Sequence, residues 1–330
     1  MAKNIIEIRD MTVSFKKPRG SLYAVNHVDF DLREGGITAL VGESGSGKST
    51  LAFTMLNIVN ITGKILSGSV CYDGRNILEM SPDALRKYKW KEVSMIFQSA
   101  QSALNPLMTV KQHFVETYLN HEPRANEKEM IARFTDLLDH VRLESKRVLD
   151  LYPHELSGGM KQRVMIAFSL LLDPRVIILD EPTTALDVIT QDYIFSILKG
   201  IHKDTGVSML LLTHDIGVVA KVADRIAVMY AGKIVEVGEI FAVFKNTAHP
   251  YADALIRTSP SLLDTHTERE PIQGSPPDLR DLPSGCAFHP RCPYATELCR
   301  TVVPKLVRME EDHYAACHYP RCCKEETRHE

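Results

Sequence analysis

A glycine-rich segment near the amino terminus carries the strongest chemical signal in this sequence. Residues 42–50 read GESGSGKST, which matches the pattern G-x-x-x-x-G-K-[ST] at every fixed position. In such a loop the backbone N–H groups surround phosphate oxygens, and glycine lets the backbone approach them without a Cβ clash. The sequence therefore predicts a nucleoside triphosphate site. The residues expected to contact the nucleotide are Gly42, Ser44, Gly45, Gly47, Lys48, Ser49 and Thr50.

Two carboxylates directly follow an aliphatic run at residues 176–179. At the carboxyl end of a strand in an open α/β sheet, side chains reach the crevice where ligands bind. We expect Asp180, together with the Ser49 hydroxyl, to hold Mg²⁺ beside the phosphates. Glu181 is then placed to act as the general base toward the attacking water. A plain helix cap is the alternative, but the phosphate loop upstream favours the catalytic interpretation.

A second glycine-rich segment, LSGGMKQR at residues 156–163, precedes that run. Its glycines open a predicted helix at 157–172, and the N-terminus of a helix attracts anions. One chain thus carries two separate phosphate-recognising segments. This combination predicts an ATPase that closes head to tail on a second, similar subunit.

The elements around these segments indicate an α/β fold. The runs 37–41, 176–179 and 208–212 are continuously apolar, as strands of a parallel sheet covered on both faces are. The first of them enters the glycine-rich loop, and residues 48–58 suit the helix that must follow it. The long stretch 105–155 is polar and helical, which predicts a helical insertion in the core.

The amino-terminal region has a different pattern. Residues 5–15 and 22–33 read as two strands joined by a turn at 16–21. Residues 68–77 suggest a further strand pair that turns at Asp73-Gly74. These strands predict an antiparallel β subdomain beside the parallel core.

Composition excludes several classes of protein. The chain has 330 residues with 44% hydrophobic content and a net charge of −3 from 39 basic and 42 acidic residues. This balance predicts no nucleic-acid partner. The sequence contains no run of about 18 apolar residues, so no transmembrane helix is expected. Charged residues interrupt the apolar residues of the first strand, so no signal peptide is expected.

Six of the seven cysteines fall after residue 285. In a reducing cytosol such a cluster more often binds metal than forms disulfides. Cys286, Cys292, Cys299 and Cys317 lack the tight C-x₂₋₄-C pairs of most zinc sites, and their longer gaps suit an iron–sulfur cluster. Zinc and unligated thiols remain alternatives. Cys322 and Cys323 are weaker candidates.

The order of motifs resembles the nucleotide-binding subunit of ATP-binding cassette (ABC) transporters. Residues 42–50 correspond to the Walker A motif, 156–163 to the signature, and 176–181 to Walker B. Gln98 corresponds to the Q-loop glutamine, Ala185-Leu186-Asp187 to the D-loop, and His214 to the switch histidine.

This resemblance implies roles for further residues. Two such subunits sandwich ATP, so Ser157, Gly158, Gly159 and Gln162 would contact the nucleotide on the opposite subunit. Asp187 would lie at the interface, Gln98 would contact Mg²⁺ and sense the membrane partner, and His214 would hold the γ-phosphate and the attacking water. Phe15 is favoured over Tyr23 to stack on adenine.

The carboxyl-terminal region is similar to the extension of dipeptide and oligopeptide importer ATPases. The shared segments are residues 249–251, 271–277 and 285–292. Some dipeptide-type members carry a [4Fe-4S] cluster on four cysteines of this extension, which implies the same for Cys286, Cys292, Cys299 and Cys317. The resemblance also implies a domain at 1–245, with a helical subdomain at about 100–165, and a small loop-rich domain at 246–330.

The expected function is therefore ATP hydrolysis that powers peptide import from the cytoplasmic face of the cell membrane. The implied partners are a homologous ATPase subunit, two permease subunits and, indirectly, an extracellular substrate-binding protein. The alternatives are a nickel or oligosaccharide importer, and a soluble ABC ATPase whose iron–sulfur tail senses redox state.

Overall fold

The computed structural model describes residues 3–18, 20–59, 63–98, 102–184, 186–258 and 272–320. They form two compact units, one from Met1–Glu79 with Leu212–Glu330 and one from Met80–Leu211. The strands are β1 (Asn4–Lys17), β2 (Gly20–Arg33), β3 (Ile37–Val41), β4 (Gly63–Tyr72), β5 (Arg75–Asn76), β6 (Val93–Ile96), β7 (Val176–Asp180), β8 (Ser208–Thr213), β9 (Arg225–Tyr230), β10 (Lys233–Glu239), β11 (Val307–Glu310) and β12 (His313–Ala315). The helices are α1 (Lys48–Thr54), α2 (Pro82–Lys91), α3 (Val110–His121), α4 (Glu127–His140), α5 (Ser145–Val148), α6 (Gly158–Ser169), α7 (Val188–Thr205), α8 (Ile216–Val222), α9 (Ile240–Lys245), α10 (Pro250–Thr258) and α11 (Glu297–Thr301).

The first unit contains the predicted antiparallel sheet. Its strand order is β2-β1-β4-β5, and β1 pairs antiparallel with both β2 and β4. Apolar residues of β1, such as Ile6, Ile8 and Val13, are buried. Ile6 and Ile8 alternate as expected for one face of a sheet, but the register shifts between Ile8 and Val13, so the alternation does not continue along the strand.

A second set of strands in the same unit runs in the order β11-β12-β10-β9-β3. β3 and β9 are parallel, whereas β10 pairs antiparallel with β9 and with β12. All five residues of β3 are buried, so the strand that enters the glycine-rich loop is fixed by its neighbours on both faces. The carboxyl-terminal strands therefore continue a sheet of the cassette.

The second unit is mainly helical, with the parallel pair β6 and β7. Its helical part has an aromatic core, in which Phe114 of α3 contacts Phe134 of α4 and Phe168 of α6, with ring centroids 5.1 and 5.2 Å apart. Trp90 adds an edge-to-face contact with Phe168 at 5.1 Å. This cluster anchors α6, the helix that carries the second glycine-rich segment.

The α/β architecture is confirmed, and differences lie at the ends of elements. Helix α1 ends at Thr54, short of the predicted residue 58, because the chain turns through Asn57 in a left-handed conformation with φ 48°. Helix α6 ends at Ser169 instead of 172. The predicted turn at 16–21 is shorter, since β1 continues to Lys17 and β2 begins at Gly20. The sequence Ser81-Pro82-Asp83 also predicts a helix start capped by Ser81, and the structure contains this cap, with the Ser81 hydroxyl accepting from the Ala84 N–H.

Candidate active site

The phosphate loop follows β3 and leads into α1, as the sequence predicts. Gly47, the residue before the helix, has φ 108°, and a Cβ there would lie 2.1 Å from the carbonyl oxygen of Ala24. Only glycine fits a position with this φ and this close an approach. The loop conformation is thus fixed by backbone packing against β2.

The Lys48 side chain is 6% exposed and its ammonium group lies inside the loop. Its Nζ donates to the carbonyl oxygens of Gly42 at 2.7 Å and Glu43 at 3.1 Å. A buried ammonium requires such acceptors, because desolvation of an unpaired charge is costly. The lysine is therefore held at the position where an incoming phosphate would meet it.

Glu43 is bound by residues that lie far away in the sequence. Its carboxylate accepts two hydrogen bonds from the Arg291 guanidinium, at 2.7 and 2.9 Å, and its N–H donates to the Tyr251 hydroxyl at 2.9 Å. Sequence reasoning missed these contacts. Both partners occur in segments that resemble the importer extension, but no spacing rule predicts a contact across 248 positions.

The two predicted carboxylates, Asp180 and Glu181, lie in the second unit. Asp180 ends β7 and is 3% exposed. Glu181 has φ 47°, an uncommon conformation for a residue with a side chain, and such strain concentrates at functional sites. Its Oε2 accepts from Gln98 Nε2 at 2.9 Å and from the Thr184 hydroxyl at 3.0 Å. The structure thus brings together the predicted base and the predicted Mg²⁺-contacting glutamine.

The signature segment forms the N-terminus of α6. The Ser157 hydroxyl accepts from the Met160 N–H, and Ser157 and Gly158 are exposed. A Cβ on Gly159 would lie 2.9 Å from Thr190 Cγ2, so this glycine lets α6 approach α7 closely. Gln162 differs from these residues, because it is 3% exposed and lies inside the fold.

Asp187 caps the N-terminus of α7, next to this segment. Its carboxylate accepts from the Thr190 N–H at 3.0 Å and from the Thr190 hydroxyl at 2.7 Å, and these bonds lower the pKa of Asp187. Val188 and Ile189 follow and are 73% and 83% exposed. Thr190 therefore lies beside both Gly159 of the signature segment and Asp187. Two exposed aliphatic side chains lie next to them.

For Phe15, Tyr23 and His214 the structure gives the position of the residue, and the predicted contacts with ATP stay predictions. Phe15 is half-buried near the end of β1, whereas Tyr23 on β2 is 40% exposed. His214 is exposed and follows β8. Ala185 of the predicted D-loop lies outside the described residues.

The four cysteines predicted as ligands line one small pocket, together with Phe288, Tyr294 and Tyr319. Burial raises the pKa of Cys317 to about 11, with the other three thiols adding to the effect. Burial, together with the neighbouring Cys299 and Cys292, also raises the pKa of Cys286. Four thiolates here would repel each other unless a cationic centre compensated their charge.

No three His, Cys, Asp or Glu side chains in the described part of the chain lie close enough together to hold a metal ion. The geometry of the described side chains therefore supports neither a zinc site nor a [4Fe-4S] cluster. A [4Fe-4S] cluster, whose four cysteines bind four different irons, stays a prediction. Cys322 and Cys323 lie outside the described residues.

Among the helices that the structure describes, none combines the length and apolar character needed to cross a membrane.

Comparison with known proteins gives consistent family matches. The profile described as "ABC transporter" matches residues 25–184, and that described as "Oligopeptide/dipeptide transporter, C-terminal region" matches residues 235–299. The second match begins within β10, before the predicted boundary at residue 246. Strands from both matched regions, β3 and β10, belong to the same sheet.

Two curated relatives are similar over nearly their whole length. The dipeptide transport ATP-binding protein DppD of Caldanaerobacter subterraneus subsp. tengcongensis is 44% identical, covering 95% of this chain and 96% of that protein. The oligopeptide transport ATP-binding protein OppD of Salmonella typhimurium is 40% identical, with 97% and 95% covered. Among solved structures, the dimeric bacterial ABC transporter cassette MJ0796 matches with a TM-score of 0.62 and 31% identity, over 71% of this chain and 98% of that one.

Proposed function

Because this chain belongs to the family of ABC transporter ATP-binding proteins and is an ATPase, we propose that it powers the import of dipeptides or oligopeptides. The observation that carries the proposal is the near full-length similarity to dipeptide and oligopeptide transport proteins, which includes the carboxyl-terminal region at residues 235–299. A nickel or oligosaccharide importer remains the second candidate.

ATP binding is assigned to the residues of the phosphate loop. Lys48 would exchange its loop carbonyl partners for the β- and γ-phosphates, which is a favourable exchange because a phosphate oxygen carries more negative charge than a carbonyl. Ser49, Gln98 and Asp180 would hold Mg²⁺, whose oxygen-rich preference fits this donor set. When bound, Mg²⁺ neutralises charge on the phosphates. Phe15 would stack on the adenine.

Hydrolysis is assigned to Glu181 and His214. The Glu181 carboxylate would accept a proton from the water that attacks the γ-phosphate, and its Oε2 is already oriented by Gln98 and Thr184. A base that is oriented before substrate binds loses less entropy in the transition state. His214 would hydrogen-bond the γ-phosphate and the attacking water.

Assembly is assigned to the surface at the start of α6 and α7. Ser157, Gly158 and Gly159 would contact ATP on a homologous subunit, and Asp187 would lie at the contact. The exposed side chains of Val188 and Ile189 support this, because burial of an exposed apolar pair favours association. Two permease subunits and an extracellular binding protein would complete the importer, with this chain peripheral at the cytoplasmic face of the membrane.

Substitution of Glu181 by Gln tests the ATPase assignment. Glu181→Gln keeps the shape of the side chain but removes the base, so ATP binding should persist while hydrolysis falls by about 10²-fold or more. Single-turnover hydrolysis measures this, and gel filtration with ATP should detect a stable closed dimer. The exposed Glu129→Gln is the matched control and should hydrolyse ATP as the unmodified protein does. Rapid turnover by Glu181→Gln would remove Glu181 as the base.

Transport by a deletion strain tests the substrate class. Cells that lack this chain should fail to take up labelled dipeptides or oligopeptides, and the intact gene, but not the Glu181→Gln version, should restore uptake. Normal peptide uptake combined with loss of nickel or oligosaccharide uptake would reject the peptide assignment and leave the ATPase assignment intact.

The [4Fe-4S] cluster is proposed on Cys286, Cys292, Cys299 and Cys317. Four cysteines on one pocket, with the Tyr319 N–H donating to Cys317 Sγ at 3.4 Å, are a donor set that such clusters use. The cluster would brace a segment with little apolar core. An oxidised cluster that changed the rate of ATP hydrolysis would instead favour a redox sensor.

Anaerobic purification with iron and sulfide analysis tests the cluster. We expect about four irons and four sulfides per chain. Cys292→Ser should lose most of this iron, whereas Cys71→Ser should retain it, because Cys71 lies on β4 away from the pocket. An iron-free, folded protein would reject the cluster without affecting the ATPase assignment.

A further inference from the structure

A bidentate ion pair joins the carboxyl-terminal segment to the phosphate loop. The Arg291 guanidinium donates from Nη1 to Glu43 Oε2 at 2.7 Å and from Nη2 to Glu43 Oε1 at 2.9 Å. The Arg291 side chain is 5% exposed and that of Glu43 is 25% exposed. Two parallel charge-assisted hydrogen bonds with little solvent access fix orientation as well as distance.

Arg291 itself has little freedom to move. Its Nε donates to the Gln273 carbonyl oxygen at 2.9 Å, and Nη1 also donates to the Tyr230 hydroxyl at 3.3 Å. The guanidinium carbon lies 5.8 Å from the Tyr230 ring centroid and 5.9 Å from that of Phe288. Four acceptor oxygens, from Glu43, Gln273 and Tyr230, and two rings therefore define where the guanidinium points.

Tyr251 holds the backbone of the same loop residue. Its hydroxyl accepts from the Glu43 N–H at 2.9 Å. The Tyr251 side chain is fully buried, and its ring centroid lies 4.5 Å from that of Tyr230 and 5.4 Å from that of Phe288. The side chain and the N–H of Glu43 are thus both bound by residues that come after the cassette motifs.

The carbonyl group of Glu43 contacts Lys48 of the phosphate loop. The Glu43 carbonyl oxygen accepts from Lys48 Nζ at 3.1 Å. Any shift of Glu43 therefore changes the acceptor that holds the lysine in the loop. The position of Arg291 and Tyr251 is in this way connected to the position of Lys48 by two consecutive contacts.

We propose that Arg291 and Tyr251 are positioning residues of the nucleotide site, which hold Glu43 so that the phosphate loop binds ATP. The carboxyl-terminal segment is then a working part of the ATP site and not only an addition to the cassette. None of the motifs that define the nucleotide site includes either residue.

A purely structural staple would behave differently. Loss of such a staple would lower the stability of the carboxyl-terminal segment but leave the ATP affinity of the folded protein unchanged. A positioning role predicts weaker ATP binding with little change in kcat, because the loop contacts the phosphates alike in the ground state and the transition state.

Arg291→Gln in the full-length chain is the first test. The Kd for ATP, measured by displacement of a fluorescent ATP analogue, should rise about fivefold to tenfold, while kcat at saturating ATP stays within about twofold. Arg291→Lys keeps the positive charge but loses the planar guanidinium that donates two parallel hydrogen bonds, so it should give an intermediate Kd. Arg300→Gln is the matched control, since the Arg300 side chain is 60% exposed in the same segment, and its Kd should not change.

A double-mutant cycle separates the ion pair from general damage. Glu43→Gln should raise the Kd as Arg291→Gln does, and the two changes together should cost little more than either alone. Additive effects, or an unchanged Kd in folded Arg291→Gln, would overturn the role of the ion pair.

Tyr251→Phe gives an independent test if Arg291→Gln does not fold. This change removes only one oxygen and preserves the ring packing, so the chain should fold and its Kd for ATP should rise by about threefold. An unchanged Kd in Tyr251→Phe would overturn the part of the proposal that concerns the loop backbone.

Discussion

The phosphate loop and the cysteine-containing segment at 272–320 are both largely irregular, but they are held in different ways. The loop has a buried strand before it and a helix after it, and Gly47 packs directly on the backbone of β2. The segment has one short helix and two short strands of its own. Side chains hold it instead, namely the Arg291 guanidinium in its ion pair with Glu43 and a buried carboxylate on β10.

That carboxylate belongs to Glu236, which is fully buried. It accepts hydrogen bonds from the N–H groups of Ala248 at 2.8 Å and His249 at 2.7 Å, and it lies 2.8 Å from Nε2 of the buried His313 on β12. One side chain thus joins β10, the start of α10 and β12. Backbone packing at Gly47 thus shapes the phosphate loop, whereas polar side chains attach the carboxyl-terminal segment and, at Glu43, also contact the loop.

An added methyl group should break the loop, and this is the largest effect that we expect. Gly47→Ala combines a φ of 108° with a contact of 2.1 Å to the Ala24 carbonyl oxygen, so the cost should exceed about 4 kcal/mol and ATP binding should be lost. Urea unfolding and ATP titration measure both effects.

Gly45→Ala provides the matched control for that change. Gly45 has φ 78°, but a Cβ added there would meet no atom of the described residues within 4 Å, so its stability cost should be only about 1–2 kcal/mol. Similar losses of stability in the two variants would show that the close approach at Gly47 is unimportant.

Loss of one charge should loosen the carboxyl-terminal segment and leave the phosphate loop formed. In Glu236→Gln an amide NH₂ group replaces one of the acceptor oxygens and faces a donor, so we expect a loss of about 2–4 kcal/mol. Hydrogen exchange should speed up in α10 and β12. Glu239→Gln, whose side chain is 58% exposed, should cost less than about 0.5 kcal/mol. Uniform faster exchange throughout the first unit would contradict a local attachment.

A fall in pH should also weaken the attachment of the carboxyl-terminal segment through His249, with a smaller loss of stability than in Glu236→Gln. Burial lowers the pKa of His249 to about 3, and its Nδ1 accepts from the Tyr251 N–H at 3.0 Å. The unfolded chain, with an ordinary histidine pKa near 6.5, binds the proton first as the pH falls. Stability is therefore complete above that value and decreases below it, by about 2 kcal/mol between pH 7 and pH 5.

His249→Asn should remove this part of the pH dependence, because Asn accepts at a helix start without titrating. The unfolding free energy at pH 7 and pH 5 should then differ less than in the unmodified chain. The exposed His154→Asn serves as the control and should keep the original pH dependence. An unchanged pH dependence in His249→Asn would mean that other groups dominate.

Local features of the fold are predictable from this sequence. Patterns of adjacent residues specify the strand before the loop, the cap at Ser81 and the turn at Asp73-Gly74, because local backbone preferences determine them. The carboxylate at Glu181 was also placed correctly at the end of a strand.

Long-range contacts were beyond the reach of sequence patterns. Glu236 is a charged residue among the aliphatic residues of β10, and no local pattern predicts that its side chain is fully buried. Its partner His313 is 77 positions away, and Arg291 is 248 positions from Glu43. Such pairs depend on the tertiary fold. Gln162 shows the same limit, because a glycine-rich motif does not indicate which of its neighbours faces inward.

The antiparallel pairing of β12 with β10 has a further consequence for the chain in isolation. An unpaired strand offers a row of free N–H and C=O groups that recruits other chains. The β11–β12 hairpin covers this row on β10 and replaces it with β11, only four residues long and bearing the charged side chains Arg308 and Glu310. The carboxyl-terminal hairpin therefore protects the protein against edge-to-edge aggregation.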